Sequence, residues 1–220
     1  MECIILSELQ IAKTFFRKVK NLLVKSIVFI LASYLVGSIS FAYYICRKFY
    51  SIDIRRYGSG NPGSTNVLRV LGTKPALIVF AADLLKGLIT VSLGRFLGGE
   101  NLALLSGIAV VVGHDWSIFL NFKGGKGIAT SFGVIIGLFP KLAPIILIIG
   151  ISVIYIWRYV SLGSITAATM LPILLLILRY PVKHIIVGLI LGIIAVCRHR
   201  DNIERLLAGK ENKLGQKVRR

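Results

Sequence analysis

The sequence predicts an all-α integral membrane protein, a polytopic bundle of apolar helices. Of its 220 residues, 55% are hydrophobic and only 16% are charged, and the mean hydropathy is +0.80. A soluble domain of this length could not bury so much apolar surface. The apolar residues also fall into long runs separated by glycine-rich or basic stretches. Most of these runs are long enough for a helix to cross the roughly 30 Å hydrocarbon core of a bilayer.

Seven apolar segments follow one another along the chain, and we predict a transmembrane helix for each. They are residues 26–46, 75–97, 102–119, 128–139, 143–157, 162–178 and 185–197. The fourth is short for a span, and merging short segments would leave five. Either odd number places the two termini on opposite sides of the membrane. We predict a single membrane domain over residues 26–211, followed by a basic tail over residues 212–220.

The N-terminal residues 1–25 mix basic and apolar side chains, which is typical of an amphipathic basic helix lying on the membrane surface. A disordered tail is the alternative. With alternating spans, 17 of the lysines and arginines fall on the face that carries residues 47–74, the loop after residue 119 and the C-terminal tail, and nine fall on the other face. The positive-inside rule places the first face in the cytoplasm, so we predict the N-terminus outside and the C-terminus inside.

The formal net charge is +18, and the basic residues cluster in loops and tails. This pattern favours anionic lipid headgroups and phosphorylated small molecules as partners over nucleic acid, for which no binding motif is present. The three cysteines and three histidines show no metal-ligand spacing. We therefore expect no metal and no cofactor. The H-x-x-x-x-D acyltransferase pair is also missing, since Phe119 and Glu204 stand at the fifth position after His114 and His199.

The loop between the third and fourth segments has the composition of a phosphate-binding site. Its residues Lys123, Gly124, Gly125, Lys126 and Gly127 precede an apolar helix. Glycine lets backbone N–H groups approach an anion, lysine adds positive charge, and the helix N-terminus contributes further N–H groups. The pattern is not a nucleoside-triphosphate loop, because Leu120 replaces its first glycine. A flexible basic loop without a ligand is the alternative.

Two further polar stretches fall on the same predicted face. The first, GSGNPGSTN over residues 58–66, lies between Arg56 and Arg69, and it supplies the hydrogen-bonding groups that a phosphate or a polyol would need. Its alternative is a glycine-rich turn. The second surrounds His199 and Asn202, and its alternative is a basic cap on the last helix.

Two ionisable residues, Asp83 and Lys86, lie inside the second span. They are three positions apart and therefore share a helix face, where they can form an ion pair. Ionisable groups within a span usually face the bundle interior and often serve function. A purely structural pair that joins two helices is the alternative.

Three ordered motifs resemble one known family. They are GSGNPGSTN at 58–66, GHDWSIFLNFKGGKGIAT at 113–130 and RHRDNIERLLAGKE at 198–211, accompanied by D-x-x-K-G at 83–87. The chain resembles the bacterial acyl-phosphate:glycerol-3-phosphate acyltransferases (PlsY-type) over roughly residues 27–211. It departs from the usual pattern at Ser64, where the family has alanine, and at Ser117, where it has proline. The first 25 residues differ from the usual start of the family.

This resemblance implies a monomeric multi-pass enzyme of the bacterial cytoplasmic membrane whose active site faces the cytoplasm. Its substrates would be acyl phosphate and glycerol 3-phosphate, and its product lysophosphatidic acid, in the first acylation of phospholipid biosynthesis. The candidate catalytic residues are Ser59, His114 and His199. The candidate substrate-binding residues are Arg56, Asn61, Thr65, Asn66, Arg69, Lys123, Gly124, Gly125, Lys126, Gly127 and Asn202. Glu211 is expected to be structural, and Asp83 and Lys86 are placed with the scaffold.

Two other functions fit parts of the pattern. A transporter for phosphorylated small molecules would explain the many helices, the buried Asp/Lys pair and the anion loop. However, the polar groups collect on one face rather than at the membrane midplane, and no inverted repeat is present. A non-catalytic membrane protein that binds lipid headgroups leaves the three ordered motifs unexplained.

Overall fold

The computed structural model describes residue 20 and residues 22–216, and within this part of the chain every regular element is helical. The predicted amphipathic segment 1–25 and the end of the basic tail therefore lie mostly outside the described residues. The helices are α1 Leu22–Ser38, α2 Phe41–Tyr50, α3 Ser64–Leu71, α4 Thr73–Asp115, α5 Ile128–Leu138, α6 Ala143–Trp157, α7 Val160–Ile177, α8 Val182–Arg198 and α9 Arg200–Leu207. This all-helical architecture confirms the predicted fold class.

Six of the seven apolar segments correspond to one helix or to one arm of α4, and the first, residues 26–46, covers most of α1 and the first part of α2. Two helices, α4 and α7, are long and apolar enough by themselves to cross a membrane, and the bent pairs α1–α2 and α8–α9 raise the number to four among the described residues. Helices α5 and α6 are apolar but shorter. The number of membrane crossings and the sides of the two termini stay predictions.

The prediction that residues 47–74 form a loop was wrong, because they include the end of α2 and all of α3. The second half of α2 and all of α3 contain polar and basic residues, so no long apolar run marks them in the sequence. Helix α3 buries Asn66, Val67 and Val70 on one face. This face packs in a second small core with residues of α2 and of the first turns of α4.

The first predicted span is also not continuous, since the chain bends by 40° between α1 and α2. Ser40 begins the second helix, and its hydroxyl accepts a hydrogen bond from the Tyr43 N–H at 3.4 Å. The carbonyls of Gly37 and Ile39 at the bend accept hydrogen bonds from the buried Lys86 ammonium, at 3.0 and 2.8 Å. The bend is therefore held by a side chain of another helix.

Helix α4 consists of two arms that turn back on each other at Gly98 and Gly99. Gly99 has φ +74°, which only glycine adopts without strain, so the predicted turn at this position is confirmed. Helix α5 packs against both arms. A Cβ added at Gly137 of α5 would lie 3.0 Å from Val91 of the first arm, and one added at Gly107 of the second arm would lie 2.9 Å from Val134 of α5. The arms of α4 thus form the scaffold on which the loop before α5 is placed.

The backbones of α4 and α5 approach each other closely at two glycines. A Cβ added at Gly133 would lie 2.0 Å from the Leu84 carbonyl oxygen, and one added at Gly87 would lie 2.3 Å from the Thr130 carbonyl oxygen. Small residues at helix contacts allow this approach within a membrane. This contact fixes the position of the α5 N-terminus along the axis of α4.

Replacing Gly133 by alanine should lower the thermal stability of the detergent-solubilised protein, because backbone atoms cannot move aside. Overpacking of this kind typically costs about 1–3 kcal/mol. Gly137→Ala, one turn further along α5, is the matched control, since its Cβ would meet only side-chain atoms of Val91 and Leu88. Thermal unfolding followed by size-exclusion chromatography measures both variants. Equal melting temperatures for the two variants would contradict the close-approach argument.

The end of the bundle opposite the polar loops is joined by a small polar and aromatic cluster. The Glu100 carboxylate contacts the Lys183 ammonium and lies 2.9 Å from Nε2 of His184. The His184 ring packs edge-on against Phe139 and Tyr180. This cluster connects the turn within α4 to the start of α8. The candidate site lies at the other end of the bundle.

Candidate functional site

One cavity of about 590 Å³ opens at the end of the bundle that carries the three polar stretches. Residues from all three stretches line it, although they are far apart in sequence. The predicted site residues in its wall are Ser59, Asn61, Thr65, Asn66, Arg69, Asp83, His114, Lys126, Gly127, His199, Asn202 and Glu211. The expected convergence of the three stretches is thus present in the fold.

Five other predicted residues do not line the cavity. Arg56 and Lys123 are exposed on the surface. Gly124 and Gly125 are buried behind the wall, where their backbone carbonyls are bonded to Arg198. Lys86 lies beneath the wall and bonds to the bend between α1 and α2.

Asn66 uses its whole side chain to hold the first polar stretch. Its Oδ1 accepts a hydrogen bond from the Ser59 N–H at 2.9 Å, and its Nδ2 donates to the carbonyls of Ile54 and Tyr57 at 3.2 and 3.0 Å. The residue is 1% exposed. Its amide is therefore fully occupied, and its geometry is that of a support for the loop that carries Ser59.

The lysine-glycine loop leads into the N-terminus of α5, where several backbone N–H groups are left unpaired by the described residues. Among the described residues, no backbone or capping side-chain acceptor takes the N–H groups of residues 126–130. Gly127 precedes the helix with φ +66° and packs directly against the buried Asp115 carboxylate. A helix N-terminus with several free donors is a good anion site.

Lys126 extends from this loop to the third stretch, where its ammonium donates a hydrogen bond to the Asn202 side-chain oxygen. Burial, followed by the nearby Arg205 charge, lowers the pKa of Lys126 to about 8. The ammonium is therefore mostly protonated at neutral pH and only partly neutralised by its surroundings. Such a group binds a phosphate strongly.

Arg198, the last residue of α8, holds the same loop from behind. Its guanidinium donates to the Gly124 carbonyl at 3.1 Å and to the Gly125 carbonyl at 2.8 and 3.1 Å. It also lies over the Trp116 ring, 5.3 Å from the centroid. Arg198 was not predicted as a site residue, because a basic residue after an apolar helix resembles an interfacial anchor.

The third stretch is organised around the buried carboxylate of Glu211. This carboxylate accepts hydrogen bonds from Ser161 at 3.0 Å, Asn202 at 2.8 Å and Arg205 at 2.8 Å. Burial alone would raise the pKa of Glu211, but these hydrogen bonds outweigh it and hold the pKa below its usual value. Glu211 therefore stays ionised and fixes the Asn202 amide that Lys126 contacts.

Ser161 and Arg205 were not predicted as site residues. Ser161 begins α7 within an otherwise apolar segment, and Arg205 is one of several basic residues on α9. Neither has a local sequence signal. Their roles follow only from the fold, which brings α7 and α9 to the same carboxylate.

His199 faces the cavity from the bend between α8 and α9. Its Nδ1 lies 2.7 Å from the Ala195 carbonyl, which can only accept, so Nδ1 carries the proton. Burial lowers the pKa of His199 to about 4, so the ring is neutral at physiological pH. Nε2 is then unprotonated and able to accept a hydrogen bond from a substrate hydroxyl.

His114 is bonded differently from His199. Its Nδ1 lies 2.8 Å from the Lys86 ammonium and 3.4 Å from the Asp83 carboxylate. The ammonium is a donor, so Nδ1 accepts and Nε2 carries the proton of the neutral ring. Nε2 packs against Gly125, where an added Cβ would lie 2.2 Å from it. The ring therefore joins the Asp83–Lys86 pair to the lysine-glycine loop.

The rest of the cavity is lined mainly by apolar side chains. Leu77 and Phe80 of α4 and Leu147 and Ile151 of α6 line it and are also exposed on the surface. Exposed apolar side chains of this kind suit contact with lipid. The site thus combines a cationic, donor-rich end with a hydrocarbon-compatible groove.

Comparison with known proteins identifies the family. A family model described as glycerol-3-phosphate acyltransferase matches residues 27–209. The chain is 53% identical over 186 residues to a glycerol-3-phosphate acyltransferase of Thermoanaerobacter pseudethanolicus (strain ATCC 33223 / 39E), which covers 84% of this chain and 94% of that protein.

Two crystal structures of PlsY, an integral membrane glycerol 3-phosphate acyltransferase, share the fold. They are its glycerol 3-phosphate form and its lysophosphatidic acid form, with TM-scores of 0.82 and 0.80. Both are 38% identical to this chain, and each match covers 87% of this chain and 96% of the other. The chain therefore belongs to the PlsY-type family of integral membrane glycerol-3-phosphate acyltransferases.

Proposed function

We propose that the protein transfers a fatty acyl group from acyl phosphate to the 1-hydroxyl of sn-glycerol 3-phosphate, which yields lysophosphatidic acid and phosphate. The observation that carries this proposal is the composition of the cavity that residues of all three polar stretches line. Its polar end provides Lys126, Arg69 and the free N–H groups of residues 126–130, which suit phosphate groups. Its apolar end opens toward the bilayer, which suits the acyl chain of a membrane-borne donor.

The reaction forms an ester bond from the substrate hydroxyl oxygen and breaks the bond between the acyl carbon and the phosphate oxygen. Phosphate leaves with the electron pair of that bond, and one of its oxygens takes the hydroxyl proton. Acyl phosphate is already activated, so no acyl-enzyme intermediate is required. The protein has to align two anionic substrates and stabilise charge at the acyl carbon.

The site residues take different parts in this scheme. Lys126 and the α5 N-terminus bind phosphate, together with Arg69, Asn61 and Thr65. His199 and Asn202 orient glycerol 3-phosphate, with Nε2 of His199 accepting a hydrogen bond from one of its hydroxyls. Ser59 lies near the reacting groups and is available as a hydroxyl donor.

His114 supports the loop rather than acting as a general base in this proposal. A neutral ring whose Nδ1 accepts from Lys86 has its proton on Nε2, and it offers no free lone pair for a substrate proton. Glu211 is ionised but surrounded by three donors, so it positions Asn202. The substrate-derived phosphate is then the proton acceptor.

We also propose that residues 26–211 act as one monomeric acyltransferase domain of the bacterial cytoplasmic membrane, with the cavity on the cytoplasmic side. The excess of basic residues at that end supports this orientation. We propose that no metal takes part. Among the described residues, no group of three or more His, Cys, Asp or Glu side chains is placed to hold an ion.

The ionisation of Lys126 predicts the pH dependence of the reaction. Its pKa is lowered to about 8, so the ammonium is present at pH 7 and lost as the pH rises through about 8. Therefore kcat/KM, which reflects the free enzyme, should fall across this range, while kcat at saturation should change less because a bound phosphate raises the pKa. Lys126→Arg should move the alkaline limb to higher pH. An unchanged limb would assign it to another group.

Phosphate release by the purified protein in lipid nanodiscs tests the proposed function. Palmitoyl phosphate would be supplied with and without glycerol 3-phosphate, in the presence of a chelator, and the lipid product would be identified by mass spectrometry. We expect release that requires both substrates and yields lysophosphatidic acid. Binding of glycerol 3-phosphate without turnover would refute the proposal and favour transport. Turnover that stops in chelator would refute the metal-free mechanism.

A further inference from the structure

We infer that Arg198 is a positioning residue for acyl transfer. It orients the peptide groups that follow Gly124 and Gly125, so that the Lys126 N–H and the α5 N-terminus behind it are presented to the substrate phosphate. The inference rests on the proposed function. Arg198 itself is not placed against substrate. It acts through the backbone of a loop 73 residues away in sequence.

The geometry follows from the planarity of the trans peptide, in which the carbonyl and the next N–H point in opposite directions. The Gly125 carbonyl is turned toward Arg198 by two hydrogen bonds, so the Lys126 N–H points away from the guanidinium. The Gly124 carbonyl is turned the same way, so the Gly125 N–H points to the opposite side. There it donates to the His114 carbonyl at 3.0 Å. The loop is thus held from both sides.

The glycines are needed because this clamp leaves no room for side chains. A Cβ at Gly124 would lie 2.0 Å from the His114 carbonyl oxygen, and one at Gly125 would lie 2.2 Å from the His114 ring. Glycine alone would leave the loop flexible and costly to order. The Arg198 fork supplies the order that the glycines lack, since its planar donors match two neighbouring carbonyls.

Arg198 also differs electrostatically from the other arginines of this region. Within the described part of the chain its guanidinium forms no salt bridge and bonds only to carbonyls, with the Trp116 ring against its face. Arg205 is paired with Glu211, and Arg200 is 83% exposed in its side chain beside Asp201. Among the described residues no carboxylate lies within ion-pair distance of Arg198, although the buried Asp115 carboxyl group is close enough to interact with its charge. The guanidinium thus contributes positive potential at the loop.

The test compares Arg198→Gln and Arg198→Lys with Arg200→Gln, which removes the same charge two residues away at an exposed position. Wild type and variants would be assayed in nanodiscs with palmitoyl phosphate and glycerol 3-phosphate, and inorganic phosphate would be titrated as an inhibitor. We expect Arg198→Gln to raise the KM for palmitoyl phosphate and the Ki of inorganic phosphate roughly tenfold to a hundredfold, because the three charge-assisted hydrogen bonds that orient the loop are lost. We expect kcat to fall less.

Rescue separates positioning from simple stabilisation. Arg198→Lys keeps the charge but not the fork, so it should recover only part of the KM. Adding guanidinium below denaturing concentrations to Arg198→Ala should restore phosphate affinity. Unchanged KM and Ki with a lower melting temperature would overturn the inference, as would an equal effect of Arg200→Gln. If Arg198→Gln does not fold, the KM for palmitoyl phosphate and the Ki of inorganic phosphate measured for Arg198→Lys test the inference instead.

The two proposals fail in distinguishable ways. Wild-type protein that does not turn over palmitoyl phosphate refutes the acyl-transfer proposal. The affinity of wild type and Arg198→Gln for inorganic phosphate, measured by calorimetry, then still decides whether Arg198 shapes the loop. Normal wild-type turnover with an unaltered Arg198→Gln variant refutes the positioning role alone.

Discussion

Replacing Lys126 by alanine should reduce kcat/KM for acyl transfer by about two to three orders of magnitude, the range seen when one preorganised donor to a developing or bound anion is removed. The Lys126 ammonium lines the cavity, is partly buried and reaches across it to Asn202. Alanine removes this charge and leaves the Asn202 oxygen without its donor. The fold should survive, because no backbone group depends on the side chain.

Lys123→Ala is the matched control for this variant. It removes the same charge from the same loop, but Lys123 is exposed and does not line the cavity. We expect its steady-state constants to stay within about twofold of wild type, since exposed charges are screened by salt. An equal decrease in kcat/KM for both variants would mean that the loop acts through its total positive charge and not through a specific contact of Lys126. Unchanged kinetics in Lys126→Ala would refute the phosphate-binding assignment.

Much of the fold follows from the sequence because a bilayer imposes simple rules. Long apolar runs must become helices, and the polar stretches between them must reach water. The ends of the runs therefore placed the turn at Gly98 and the loop at 120–127 near their observed positions. Residues of 58–66, 113–130 and 198–211 line one cavity, which agrees with the prediction that the three stretches share one face.

The half-polar helices could not be predicted in this way. Helix α3 and the second half of α2 lack a long apolar run, and both helices pack with the start of α4 in the small core that includes Cys46, Val67 and Val79. Likewise the bend between α1 and α2 has no proline. It depends on Lys86, whose contact with residue 39 spans 47 positions.

The site residues also differ in whether the sequence could predict them. Side chains that reach the cavity directly, such as Lys126 and His199, belong to short motifs whose chemistry is visible in the sequence. Residues that act through other residues, such as Arg198 on the glycine loop and Ser161 on Glu211, leave no local pattern. The tertiary contact itself is their only signal. Asn66 shows the opposite case. Its residue type suggested ligand binding, but its amide forms all its hydrogen bonds with the protein backbone.

Lys86→Met should destabilise the protein by about 3–5 kcal/mol, the usual cost of removing one partner of a buried ion pair. The Lys86 ammonium lies 2.9 Å from the Asp83 carboxylate, and both side chains are nearly inaccessible to solvent. Methionine fills a similar volume but leaves the carboxylate uncompensated in a low-dielectric interior. Arg95→Gln is the control, a basic residue on the same helix that is exposed. Unfolding in SDS titrations measures both variants.

The double variant Asp83→Asn/Lys86→Met separates the two tasks of the lysine. Removing both charges should recover roughly half of the lost stability, because no ion is then left unpaired. Full recovery is not expected, since the carbonyls of Gly37 and Ile39 would still lack their donor at the α1–α2 bend. Full recovery would make the pair a simple ion pair with no part in the bend. A double variant as unstable as Lys86→Met would instead place the whole effect in those carbonyl contacts.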